Sequence, residues 1–124
     1  MKVLITGANG FVGIHLTKRL VREGCAVRAM VQGGQDHPEL RHPLIEICSG
    51  ELLDRSSLCH AMKGVQQVYH LAGLVGDWAP DPRNFYRVNV QGTLNLLEAA
   101  KEMGVEKIVA TSTVGALGPP DQSN

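Results

Sequence analysis

A chain of 124 residues, 44% of them hydrophobic, has the size of one compact domain and can bury roughly two thirds of its unfolded surface. Twelve basic and twelve acidic side chains cancel, so no polyanion-seeking surface is advertised; no nucleic acid is expected as a partner, and the ligand should be small. Cys25, Cys48 and Cys59 form an odd, widely spaced set that suits a reducing cytosol better than a disulfide framework. No signal-peptide pattern opens the chain, and no apolar run approaches the roughly 20 residues of a membrane helix, so a soluble, cytoplasmic protein without a membrane partner is expected.

Strand and helix patterns alternate along the chain. An apolar run from Lys2 to Ile5 predicts a strand, and "FVGIHLTKRLVREG" then has helical period: Gly13, Leu16 and Leu20 on one face, His15, Lys18, Arg19 and Arg22 on a solvated one. Gly24 is its stop. Ala26 to Val31 is a second strand, followed by the breaker-rich loop "QGGQDHPELRHP", and Leu44 to Cys48 is a third. Asp54 can cap a helix over Arg55 to Lys63, ended by Gly64, because its carboxylate can accept from free first-turn amides. Gln67 to Ala72 is a fourth strand. Asp81 as N-cap, Pro82 at the first helical position and Gly104 past the end bound one long helix, and Glu106 to Ser112 is a fifth strand.

Strands this apolar should be covered on both faces, and helical connections make neighbouring strands parallel. The expected fold is α/β, a doubly wound parallel (Rossmann) sheet in the order 3-2-1-4-5, occupying residues 1–124 as one domain. Ligands bind such sheets beyond the carboxyl ends of the strands, where the order reverses, here between strands 1 and 4.

The stretch "ITGANGFVG" lies at that point. A helix starting near Phe11 offers unpaired amides and the positive end of its peptide dipoles to a phosphate. Gly7 allows a tight turn, Gly10 removes a Cβ that would hold a pyrophosphate away, and Gly13 lets the helix pack close. The competing reading is that the glycines only make a tight strand-to-helix turn; their place between strand and helix favours a dinucleotide.

The spacing Gly7-x-x-Gly10-x-x-Gly13, preceded by Thr6, resembles the fingerprint of the extended short-chain dehydrogenase/reductases, the NAD(P)-dependent epimerases, dehydratases and dihydroflavonol-type reductases. "GELLD", "YHLAG", "FYRVNVQGTLNLLEAA" and "VATSTVGALG" resemble that family in the same order. The resemblance implies NAD or NADP as cofactor, held by Gly7, Asn9, Gly10, Phe11, Val12 and Gly13. It places Glu51 and Leu52 beside the adenine, Leu71, Ala72 and Gly73 along the cofactor, Asn89 at the strand-4 turn, and Thr111 and Ser112 beneath the nicotinamide ribose. Thr113 falls where the family places a catalytic hydroxyl; a strand-end hydroxyl bonded to backbone is the alternative. At the end of strand 2, Gln32 replaces the acid that selects NAD and the arginine that accommodates NADP. Asp36 and Arg28 are the nearest charged candidates, and the lean is to NAD because no basic residue follows Val31 directly.

The family's Tyr-x-x-x-Lys pair is absent: four residues beyond Tyr69 and Tyr86 stand Gly73 and Val90. The chain is therefore expected to be the amino-terminal, cofactor-binding portion of a longer enzyme acting on a small-molecule carbinol or ketone, such as a sugar nucleotide or a dihydroflavonol-like compound. A non-catalytic NAD(P)-binding or redox-sensing module is the alternative. A homodimer stays open for the full-length protein, because the family often dimerises through its long helix. His37 and His42 are expected to be loop histidines, with no metal site, and His70 a packed or hydrogen-bonded one. Trp78 could cover the nicotinamide or the substrate, or shield the core.

Overall fold

The computed structural model describes residues 1–71 and 87–111. Five parallel strands, β1 (Lys2–Thr6), β2 (Ala26–Val31), β3 (Ile45–Ser49), β4 (Gln67–His70) and β5 (Lys107–Ala110), form one sheet in the expected order β3-β2-β1-β4-β5. The register aligns Thr6 with Met30 on one side and His70 on the other, and His70 with Ala110. The carboxyl ends of β1, β2, β4 and β5 therefore share one rim.

Burial follows the strand composition. Val3, Leu4 and Ile5 are wholly buried, so β1 is covered on both faces. Leu4, Met30 and Val68 pack with Leu58, Met62 and Leu96 on one side, whereas Val3, Ile5, Val27, Ala29 and Val31 pack with Leu20 on the other. At the sheet edge the expectation of two covered faces fails: among the described residues, Lys107, Val109 and Ala110 of β5 are exposed.

Helix α1 (Phe11–Arg22) buries Gly13, Thr17 and Leu20. Leu16, expected on this inner face, is only half-buried, and Thr17 goes in because its hydroxyl donates to the Gly13 carbonyl at 2.7 Å. The basic face of α1 is solvated as expected, with Lys18 and Arg19 in surface ion pairs with Glu39 and Glu23.

Helix α2 (Arg55–Ala61) starts as the sequence predicts, with the Asp54 carboxylate accepting from the Ser57 amide at 3.3 Å. It closes two residues before the expected end. There Arg28 reaches out of β2 and donates to the carbonyls of Ala61 (2.5 Å) and Lys63 (2.9 Å), satisfying acceptors the last turn leaves unpaired.

The expected long helix is not uniform where it is described. A π-helical turn, Arg87–Gln91, precedes helix α3 (Gly92–Glu102). Just past the wide turn, the Thr93 hydroxyl donates to the Asn89 carbonyl at 2.9 Å. A Cβ at Gly92 would lie 2.8 Å from the Leu52 Cβ, so only glycine lets α3 pack this close to the segment after β3.

Candidate functional site

The three glycines of the first turn are required for three separable reasons. Gly7 has φ +68°, in the region side chains disfavour. At Gly13 a Cβ would lie 2.8 Å from the Ala8 Cα and would collide with the Gly7 carbonyl oxygen, so α1 can sit against the turn only without one. Gly10 meets neither constraint. Its φ is −78°, it is exposed, and among the described residues a Cβ there would meet only the Gly7 oxygen, at 3.4 Å, an ordinary contact. Gly10 is the N-cap of α1 and supplies no side-chain cap, so the first-turn amides start without a side-chain acceptor from the cap position. The Gly10 amide itself donates to the Gly7 carbonyl at 3.1 Å and fixes the turn.

Asn9 is exposed in the same turn, and Phe11 and Val12 project from the first turn of α1, with Phe11 81% exposed and its ring edge-on to His15 at 4.7 Å. Gln32 opens a short 3-10 turn, Gln32–Gly34, directly after β2 and is exposed. The two charged residues near it are otherwise engaged. Asp36 is held by Arg41 at 2.7 Å, a pairing that lowers its pKa, and Arg28 serves α2.

Beyond β3, Glu51 is exposed whereas the Leu52 side chain turns inward and joins the core. Two residues that the sequence reading passed over hold this segment. Ser57 accepts from the Glu51 amide at 3.0 Å, and Asn95 donates from Nδ2 to the Leu52 carbonyl at 2.9 Å. Asn95 lies three positions past Gly92 on α3, the spacing that puts two residues on one helix face, which is the signal that could have found it.

At the rim beside Gly7, the Leu71 amide donates to both the Thr6 carbonyl (3.2 Å) and the Thr6 hydroxyl (3.0 Å). His70 is buried and hydrogen-bonded, as expected: Nδ1 lies 2.8 Å from Thr6 Oγ1 and Nε2 lies 3.2 Å from Thr93 Oγ1. Burial lowers its pKa. Thr111 continues the rim, its amide donating to the His70 carbonyl at 3.2 Å, and Asn89 is exposed on the π-helical turn. Ala72, Gly73, Trp78, Asp81, Pro82, Ser112 and Thr113 lie outside the described residues. His37 and His42 each accept a backbone amide two residues on, from Glu39 and Leu44. Cys25, Cys48 and Cys59 are free thiols. Among the described residues, no helix is long and apolar enough to cross a membrane.

The profile of the NAD dependent epimerase/dehydratase family matches residues 3–124. The chain belongs to that family. Sterol demethylase protein B of Methylococcus capsulatus is 37% identical over 126 residues, which cover 100% of this chain and 38% of that protein. The crystal structure of gox2253 superposes with a TM-score of 0.83 at 38% identity, over 98% of this chain and 37% of that one. The UDP-glucose 4-epimerase of Bifidobacterium longum, solved with NAD+ and UDP, superposes with a TM-score of 0.80 at 27% identity, over 98% and 40%. The chain thus spans little more than a third of these epimerase/dehydratase relatives.

Proposed function

We propose that this chain is the dinucleotide-holding part of an NAD(P)-dependent oxidoreductase or epimerase/dehydratase, with the diphosphate of the cofactor seated on the turn Gly7–Gly13. The observation that carries the reading is the clearance at Gly10. Among the described residues, neither backbone conformation nor packing demands glycine there, and the N-cap of α1 carries no side chain over its first-turn amides. On this reading Asn9, Phe11 and Val12 border the diphosphate and Glu51 the adenine. Leu52 contributes by fixing its loop rather than by side-chain contact. Leu71, Ala72, Gly73, Asn89, Thr111 and Ser112 line the nicotinamide half, and Thr113 offers a hydroxyl to the substrate oxygen.

When bound, NAD or NADP supplies hydride acceptance or donation at a substrate carbinol or ketone. What the chain's own residues do is bind and orient. Gln32 follows Val31 directly and Arg41 is paired to Asp36, so among the described residues no free cation follows β2 directly to meet a 2′-phosphate, which supports NAD over NADP. Titration calorimetry of the 124-residue chain with each nucleotide tests the reading. NAD should bind more tightly than NADP, and Gly10→Val should abolish uptake of both while the circular dichroism spectrum stays unchanged. Equal affinity in the Gly10→Val variant and the parent overturns the placement.

A second reading is favoured by one specific observation. No tyrosine of this sequence is followed four residues later by lysine, so these residues do not supply the proton-transfer pair of the extended short-chain enzymes, which favours a binding or redox-sensing role for them. Cofactor-dependent turnover of a sugar nucleotide, sterol or flavonol by this chain would exclude it.

A further inference from the structure

The rim residues form an ordered chain of hydrogen bonds whose direction is fixed by chemistry. The Asn89 carbonyl can only accept, so the Thr93 hydroxyl spends its one proton on it, at 2.9 Å. Toward His70 Nε2, at 3.2 Å, Thr93 Oγ1 is therefore the acceptor, and Nε2 carries a proton. A neutral imidazole protonated there has a lone pair on Nδ1, to which the Thr6 hydroxyl donates at 2.8 Å. Thr6 Oγ1 in turn accepts from the Leu71 amide at 3.0 Å. The order runs Leu71 amide, Thr6 hydroxyl, His70 ring, Thr93 hydroxyl, Asn89 carbonyl, each donating to the next. It crosses from the residue beside Gly7, through the sheet rim, to the π-helical turn.

We infer that His70 is a positioning residue: neutral and protonated on Nε2, it ties Leu71, the residue after β4, to the π-helical turn at Asn89, and so holds both against the end of β1. The inference deepens the proposed function and rests on it in one respect, that Leu71 and Asn89 border the dinucleotide. A second proton on Nδ1 would face the Thr6 hydroxyl proton and reverse the order at its centre. A hydrophobic residue of similar size would fill the space but break the link between the Thr6 and Thr93 hydroxyls.

Two measurements on the 124-residue chain test this. Nitrogen-15 spectra of the imidazoles at pH 7 should show His70 as a single tautomer with its proton on Nε2; a proton on Nδ1, or a mixture, overturns the inference. Calorimetric titration with NAD should show Thr93→Val weakening binding about tenfold, as loss of the half-buried acceptor opposite His70 implies, with Thr93→Ser restoring the parent affinity. Parent-like binding by Thr93→Val, or failure of Thr93→Ser to restore it, also overturns it. Should Thr93→Val not fold, the spectrum of the parent decides alone. A parent chain that takes up no NAD overturns the dinucleotide reading instead, and the tautomer is still read from the spectrum.

Discussion

Glycine spacing is legible in a sequence, but the reason for each glycine is not. Gly7, Gly10 and Gly13 look equivalent on paper, yet one is needed for its backbone angle, one for helix packing, and one for nothing among the described residues. Only coordinates separate them, because the distinction depends on what a Cβ would meet. The same holds for Leu52, an apolar residue in a loop motif whose side chain turns out to belong to the core. His70 was readable as buried and hydrogen-bonded, but its partners Thr6 and Thr93 come from segments 64 and 23 residues away, beyond any local pattern. Its chemistry also gives a pH dependence. Burial lowers the folded-state pKa, so the unfolded chain binds the proton more readily. The stability His70 contributes is whole above the unfolded value of about 6.5 and is lost as pH falls below it. Urea denaturation midpoints should therefore drop between pH 7.5 and 5.0 in the parent, and by less in His70→Asn. A parent midpoint that stays level would contradict the assignment.

Element identities were readable because local chemistry and burial agree. The Asp54 cap lies where the sequence puts it, since an aspartate ahead of a short apolar period satisfies amides nothing else can reach. Asp54→Ala should lower the free energy of unfolding by about 1 kcal/mol in denaturant titration. An unchanged midpoint would show that Ser57, which also bonds to the Asp54 carbonyl at 2.8 Å, holds the turn alone. Element ends were less readable. Helix α2 closes early where Arg28, 33 residues away in sequence, takes its carbonyls, and the π-helical turn Arg87–Gln91 is followed by Thr93, bonded back to the Asn89 carbonyl, and by Gly92, packed against Leu52. Both depend on tertiary partners, which period and propensity do not encode.

For the whole molecule, the alternation of apolar strands with amphipathic helices was sufficient to order the sheet. Parallel strands need crossovers, and the opening glycine turn marks the switch point. Interior burial followed; the edge did not. Exposed Val109 and Ala110 on β5 are apolar by sequence and uncovered among the described residues, and a composition-based expectation cannot tell a central strand from an edge one. The candidate site was legible as a set of positions on one rim, whereas the supports that hold those positions, Ser57, Asn95, Thr93 and the core-facing Leu52, emerge only from packing. The account comes down to whether the opening turn meets a dinucleotide. Amide chemical-shift mapping of the nitrogen-15-labelled chain during titration with NAD asks this directly. The largest shifts should fall on the amides of residues 9–13, with smaller ones at Glu51, Leu71 and Thr111. Shifts confined to other surfaces, or none at saturating nucleotide, would contradict it.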